Sequence, residues 1–107
     1  MSERKKDQLI RLVRRSSLDL DTAAFLLDRV ARGLSPRTIS YYSDELRHLA
    51  EFLGRARATE VRALTPPHLR DFFLHLSSTR SPGGVHAAYR AIKVFLRWWE
   101  AETEPDR

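Results

Sequence analysis

Four basic side chains near the carboxyl end of the chain share one face of a predicted helix. Their spacing is i, i+4, i+7 and i+11, and they are His86, Arg90, Lys93 and Arg97. No acidic residue interrupts the row. Like charges one turn apart repel by a few tenths of a kcal/mol, so solvated helices usually mix signs. The row therefore predicts binding to an external anion, and the alternative is pairing with carboxylates of another helix.

A second candidate anion site lies at the start of the central predicted helix. Ser35 is a preferred N-cap residue, and Pro36 suits the first helical position because its fixed φ is already helical. Arg37 and Thr38 then stand beside unpaired backbone N–H groups at the positive end of the helix dipole. This arrangement suits a phosphate group. The alternative is a capped surface helix without a ligand.

The elements that position these side chains are predicted to be four helices and no strand. Apolar residues recur every three or four positions over residues 21–32, 36–53, 66–77 and 83–102. Residues 55–64 form a connector, and turn-forming residues over 77–84 break the pattern before the last helix. The predicted fold class is therefore all-α, a compact four-helix bundle.

Each predicted helix has its own apolar face and end signals. The first helix ends at Gly33, Gly54 is predicted to be the left-handed residue after the second, and Thr65 caps the third. Trp98 falls beside the apolar face of the last helix, either half-buried in the core or packed against a missing domain. The predicted core residues are Ala23, Leu26, Leu27, Val30, Ala31, Ile39, Tyr42, Leu46, Leu49, Leu53, Leu69, Phe72, Phe73, Leu76, Val85, Ala88, Ile92, Phe95, Leu96 and Trp99.

Composition bounds the possible functions. A chain of 107 residues is one small domain, and its net charge of +5 and pI near 10.2 favour an acidic partner such as nucleic acid. Arginine outnumbers lysine, and its planar guanidinium group suits phosphates and guanine edges. The absence of cysteine fits a reducing compartment, and no apolar run is long enough to span a membrane. We expect a soluble, cytoplasmic protein that does not contact membranes.

Residues 1–19 are predicted to form a basic N-terminal arm. Their positive charges are interrupted by a few apolar residues, which are Leu9, Ile10, Leu12 and Val13. Two interpretations remain open, a short amphipathic helix that forms on binding DNA or a partner, and a frayed terminus.

We find no candidate active site in the sequence. The histidines lack metal-ligand spacing, the serines lack a nucleophile context, and Gly83-Gly84 lacks the lysine and hydroxyl residue of a phosphate-binding loop. No cofactor, metal site or catalytic residue is therefore predicted. The histidines are His48, His68, His75 and His86, and the serines considered are Ser35, Ser40 and Ser43.

Several segments together resemble the amino-terminal core-binding domain of tyrosine recombinases, the phage integrase and Xer-type enzymes. They include G-L-S-P-R-T-I at 33–39, L-T-P at 64–66, F-F-L-H-L at 72–76 and R-A-I-K-V-F-L-R-W-W at 90–99. Tyr42, Leu46 and the F-L at 52–53 complete the pattern, and Glu104-Pro105 falls where such domains meet their catalytic partner. The resemblance covers roughly residues 20–107 and implies a SAM-like bundle that clamps one side of duplex DNA.

The resemblance also assigns roles to residues. In the family the second and fourth helices cross the major groove, which implies DNA contacts for Ser35, Arg37, Thr38 and Tyr41, and for His86, Arg90, Lys93 and Arg97. The family's catalytic residues belong to a separate carboxy-terminal domain, so Tyr41, Tyr42 and Tyr89 are not the tyrosine nucleophile. Asp44, Glu45 and Glu51 make the later turns of the second helix acidic, which departs from the expected phosphate contacts there.

The sequence thus predicts an arm over residues 1–19 and a non-catalytic DNA-binding domain over 20–107. Its expected partners are double-stranded DNA, the catalytic domain of the parent recombinase, and other protomers in a synaptic complex. The alternative is a helical protein-interaction module, in which Trp98, Phe95 and the acidic segment from Glu100 to Asp106 dock another protein.

Overall fold

A computed structural model describes residues 17–55 and 60–103 of the chain. The elements in chain order are α1 (Ser17–Ala31), α2 (Pro36–Arg55), a short 3₁₀ turn (Val61–Ala63), α3 (Pro66–Ser77) and α4 (Pro82–Thr103). No strand occurs among these residues. The all-α four-helix prediction is confirmed. Most of the predicted basic arm, residues 1–16, lies outside the described residues.

Local sequence signals explain where the helices begin and end. At the end of α1, Gly33 adopts a left-handed φ of 82°, and its N–H donates to the Val30 carbonyl at 2.9 Å while the Leu34 N–H reaches the Arg29 carbonyl at 3.3 Å. These two bonds satisfy carbonyls that a helix end leaves free. At the start of α3, Thr65 and His68 form a reciprocal capping box. The predicted end of α1 at Gly33 and the predicted cap of α3 at Thr65 are confirmed.

The hydrophobic core lies between a central pair of helices and two flanking ones. Helices α2 and α4 pack against each other, and α1 and α3 each pack against this pair. Three phenylalanines, contributed by α1, α3 and α4, are the largest fully buried side chains, and the leucines of α2 fill the space around them. The core residues are Leu18, Phe25, Leu46, Leu49, Leu53, Val61, Phe72, Leu76, Ala88, Ile92 and Phe95.

The predicted apolar face of α1 packs on the core at Leu26 alone, and its other members are exposed, which are Ala23, Leu27, Val30 and Ala31. The prediction of the buried face is therefore wrong for these four residues. Leu27 and Val30 are 71% and 56% exposed, whereas Phe25 is completely buried and Leu18 is 2% exposed. Both faces of this helix carry apolar residues, so spacing alone permits either to turn inward. The large ring of Phe25 buries more apolar surface than the small and branched side chains opposite it, and this favours the observed orientation.

Two boundaries also differ from the prediction. Helix α2 continues through Gly54 to Arg55, and Gly33 is the one glycine of the described residues with positive φ, so the left-handed conformation predicted for Gly54 is wrong. Helix α1 begins at Ser17, four residues before the start at residue 21 predicted for this helix, and Leu18 joins the core.

The paired tryptophans of α4 both contact α1. The Trp99 indole N–H donates to the Asp21 carboxylate at 2.9 Å and ties α4 to α1. Trp98 is half-buried, and its ring centroid lies 5.5 Å from that of Phe25 and 6.3 Å from that of Phe95. The interpretation of Trp98 as a half-buried core residue is confirmed.

Candidate nucleic-acid interface

The predicted basic row lies on the solvent side of α4. His86, Arg90, Lys93 and Arg97 are all exposed, while Ala88, Ile92 and Phe95 on the opposite side of the helix are buried. Within residues 17–55 and 60–103, no ion pair involves any member of the row. Neutralisation of the row by carboxylates of another helix, the alternative weighed from the sequence, is therefore not observed in this part of the chain.

An aromatic side chain that the sequence analysis did not select stands within this row. The Tyr89 ring stacks on His86 with a centroid separation of 5.9 Å, and the Lys93 ammonium lies 5.7 Å from the Tyr89 centroid. Phe73 of α3 contacts the same ring at 5.8 Å. The sequence does contain a signal for these contacts. Tyr89 lies three residues after His86 and four before Lys93, and side chains at this spacing are neighbours on a helix surface.

The amino end of α2 presents one backbone donor and one arginine. Ser35 Oγ accepts from the Thr38 N–H at 3.3 Å, and the Ser35 carbonyl accepts from the Ile39 N–H at 3.0 Å. Pro36 has no N–H, so Arg37 contributes the first-turn N–H that has no partner among the described residues. The Arg37 side chain is exposed, and this N–H lies at the positive end of the helix dipole, where an anion is favoured.

Tyr41 joins the two predicted sets of residues. Its hydroxyl donates to the Ala87 carbonyl, which ties α2 directly to α4. Burial raises the pKa of Tyr41, and the nearby Arg90 guanidinium opposes this rise only in part, so the hydroxyl keeps its proton and remains a donor. Arg37 and Tyr41 line one groove of about 620 Å³ together with Ala87 of α4. Asp44 and Glu45 line this groove as well, and no member of the basic row does. The fold therefore brings the amino end of α2 against α4, with Tyr41 close enough to Arg90 of the row to feel its charge.

A partly buried ion pair holds the connection between α3 and α4 on α2. Arg80 donates to a Glu45 carboxylate oxygen at 2.8 Å, and its other terminal nitrogen lies 3.1 Å from His48 Nδ1. The hydrogen bond to Glu45 raises the pKa of Arg80 above its usual value. Glu45 is only 6% exposed. Its charge is thus neutralised within the bundle, while the exposed Asp44 pairs with Arg47 at 3.3 Å.

We expect Arg80→Ala to lower the free energy of unfolding by about 1–3 kcal/mol, because the buried Glu45 carboxylate loses its cationic partner. Urea denaturation followed by circular dichroism measures the change. The matched control is Arg47→Ala, which removes an exposed ion pair with Asp44 and should change stability by no more than about 0.5 kcal/mol. Equal effects of the two substitutions would contradict a structural role for the Glu45–Arg80 pair.

Comparison with known proteins identifies the family. A model of the phage integrase N-terminal SAM-like domain matches residues 22–105. The chain belongs to this family. No curated protein and no solved structure matches it. The resemblance recognised in the sequence is confirmed, and the SAM-like domain is the N-terminal part of integrases rather than their catalytic domain.

Both groups of predicted site residues lie inside the part of the SAM-like domain that matches the family. The basic row belongs to the fourth helix, and the residues from Ser35 to Tyr41 belong to the start of the second, as the resemblance implied. Glu104-Pro105, expected at the junction with the catalytic partner, lies outside the described residues. Over residues 17–55 and 60–103, no helix combines the length and apolar character that crossing a bilayer requires.

Proposed function

We propose that this SAM-like domain binds duplex DNA through the basic row of α4 and the amino end of α2. The unneutralised charge of the row is the observation that carries the proposal. Exposed cations that lack carboxylate partners attract the phosphate backbone and release its counterions. Arg90, Lys93 and Arg97 provide these cations on one face over about two turns of helix.

The second contact region extends this surface across the groove between the helices. Arg37 adds a guanidinium group and a free backbone N–H, and the tie from Tyr41 to Ala87 fixes its distance from α4. Ser35 and Thr38 hold the first turn of α2 through the cap. Phosphate contacts of this kind set the position of a protein on DNA, and base edges are then read by the arginines.

Within the parent recombinase, the domain supplies binding and a separate domain supplies the chemistry of integration and recombination. The catalytic domain of the parent, and other protomers in a synaptic complex, are its proposed protein partners. Membership of the integrase N-terminal family supports this division. The domain itself is then a non-catalytic, cytoplasmic clamp on duplex DNA.

The rival function, a protein-interaction module, relies on residues that the fold uses internally. Phe95 is completely buried, and Trp98 packs on Phe25 and Phe95. Phe95 therefore offers no surface to a partner, and Trp98 offers only the part of its ring that the core leaves uncovered. The exposed side of α4 is cationic, which favours nucleic acid as the partner.

We expect the isolated domain to bind duplex DNA with a dissociation constant in the micromolar range or weaker, because one small module neutralises few phosphates. Fluorescence anisotropy of a labelled duplex, measured at increasing salt, should show affinity falling linearly on logarithmic axes. A net-negative protein of similar size serves as the control. A dissociation constant that does not change with salt concentration would contradict the proposal. Sub-nanomolar, sequence-specific binding would contradict it as well.

A further inference from the structure

We propose that Tyr89 is a further DNA-binding residue, whose hydroxyl donates a hydrogen bond to a backbone phosphate held between His86 and Lys93. This inference rests on the proposed function and deepens it. The Tyr89 hydroxyl is a neutral donor beside the cations Arg90, Lys93 and Arg97 of the row. Nothing in the family match assigns this role to Tyr89.

The Tyr89 ring is exposed and is also held in place by its neighbours. It is 44% exposed. His86 stacks on it, Lys93 lies over it, and Phe73 packs against it from α3. A side chain held by three neighbours loses little conformational entropy when it binds a ligand.

The two tyrosines beside α4, Tyr41 and Tyr89, differ in what their hydroxyl groups contact. Tyr41 commits its hydroxyl to the Ala87 carbonyl, whereas that of Tyr89 has no hydrogen-bond partner among the described residues. The Tyr89 ring borders the grooves that run between α3 and α4 on both sides of Phe73. The hydroxyl therefore remains available to a ligand that lies along α4.

The groove on one side of the Tyr89 ring is lined by two cations, Lys93 and Arg97, and by one acid, Glu100. Lys93 lies on the Tyr89 ring, and Arg97 follows one turn later without an ion pair in the described part of the chain. Cations at this spacing draw a phosphate to the row, and a tyrosine hydroxyl is a common donor to phosphate oxygens. An acidic peptide is the alternative ligand for these cations. The regular spacing of the row along the helix suits the successive phosphates of a DNA backbone better.

A neutral donor has a distinct thermodynamic signature. Cationic contacts release counterions and so set the slope of log affinity against log salt, whereas a hydroxyl contributes a hydrogen bond without changing the number of ions released. Loss of the Tyr89 hydroxyl should therefore reduce affinity at every salt concentration by the same factor. Loss of a cation should change the slope.

The experiment compares Tyr89→Phe with the unaltered domain in salt titrations of duplex binding. We expect affinity to fall about fivefold, the value of one net hydrogen bond, with an unchanged slope. Tyr42→Phe is the matched control, because it removes the same hydroxyl from a ring that packs on Phe25 inside the bundle. The control should bind DNA as the unaltered domain does, and circular dichroism should show both variants folded.

Two outcomes would overturn the inference. Unchanged affinity of Tyr89→Phe would show that the hydroxyl makes no contact, and a slope lowered by about one would show that the substitution acts by displacing Lys93. Either result leaves the proposed function standing if Arg90→Glu still weakens binding. If Arg90→Glu also binds DNA normally, the proposed function fails together with the inference.

Discussion

Replacing Phe25 with alanine is expected to lower the free energy of unfolding by about 3–5 kcal/mol, the range for a fully buried phenylalanine. Its ring is completely buried and makes edge contacts with Tyr42 at 5.4 Å, Phe95 at 5.4 Å and Trp98 at 5.5 Å. It therefore joins α1 to both central helices. Urea denaturation or thermal melting of the domain would measure the loss, which is a large share of the stability of a domain this size.

The matched control for Phe25→Ala is Leu27→Ala on the same helix. Leu27 is 71% exposed, so its truncation should change stability by no more than about 0.5 kcal/mol. The comparison tests the orientation of α1 directly. If Leu27→Ala proves the more damaging substitution, the face of α1 predicted from the sequence is the buried one and the observed orientation is incorrect.

The failure to predict this face has a physical reason. Periodicity identifies the inward side of a helix only where the other side is polar. Helix α2 meets that condition, and Leu46, Leu49 and Leu53 are buried as predicted. Helix α1 does not, since Leu27 and Val30 are apolar but exposed. Its orientation depends on the fit of Phe25 against α2 and α4, which is a tertiary property.

A glycine after an apolar stripe does not by itself determine where a helix ends. Gly33 and Gly54 both follow an apolar helical stripe, and only Gly33 is left-handed. Glycine permits that conformation without requiring it. At Gly33 the turn is stabilised by two backbone hydrogen bonds to the end of α1, whereas at Gly54 the helix continues for one more residue. The end of α2 therefore could not be read from the glycine alone.

Some features of the candidate site depend on residues close together in the sequence, and others depend on residues far apart. The basic row was predicted because its members lie on one helix, where spacing fixes their common face. The bond from Tyr41 to Ala87 joins residues 46 positions apart, and that from Arg80 to Glu45 joins residues 35 positions apart. No local pattern encodes such contacts. The structure was needed to show that α2 and α4 present adjoining surfaces and that Glu45 is already neutralised.

The two sides of α4 separate stability from the proposed binding. Its inner side contributes Ala88, Ile92 and Phe95 to the core, and its outer side carries the exposed basic row. Substitutions on the outer side remove little buried surface, so they should leave the fold intact. The DNA interface can therefore be tested by charge reversal without loss of the bundle.

The combined change of Arg90, Lys93 and Arg97 to glutamate is expected to weaken duplex binding by about a hundredfold at low salt, taking roughly 1 kcal/mol for each lost contact. The three contacts should also account for about 2.7 of the magnitude of the salt slope, at about 0.9 each. Salt titrations by fluorescence anisotropy would measure both quantities. Melting should remain nearly unchanged because all three side chains are exposed.

The single substitution Arg90→Glu measures the contribution of one position. It should reduce the magnitude of the slope of log affinity against log salt concentration by about one. Arg62→Glu is its matched control, since it makes the same charge change at an exposed residue of the 3₁₀ turn, outside both helices of the proposed interface. A general effect of net charge would weaken binding equally in the two variants, whereas a contact at the row weakens it only for Arg90. If Arg90→Glu unfolds the domain while the affinity of each folded molecule stays the same, the row has a structural role and the proposed interface is wrong.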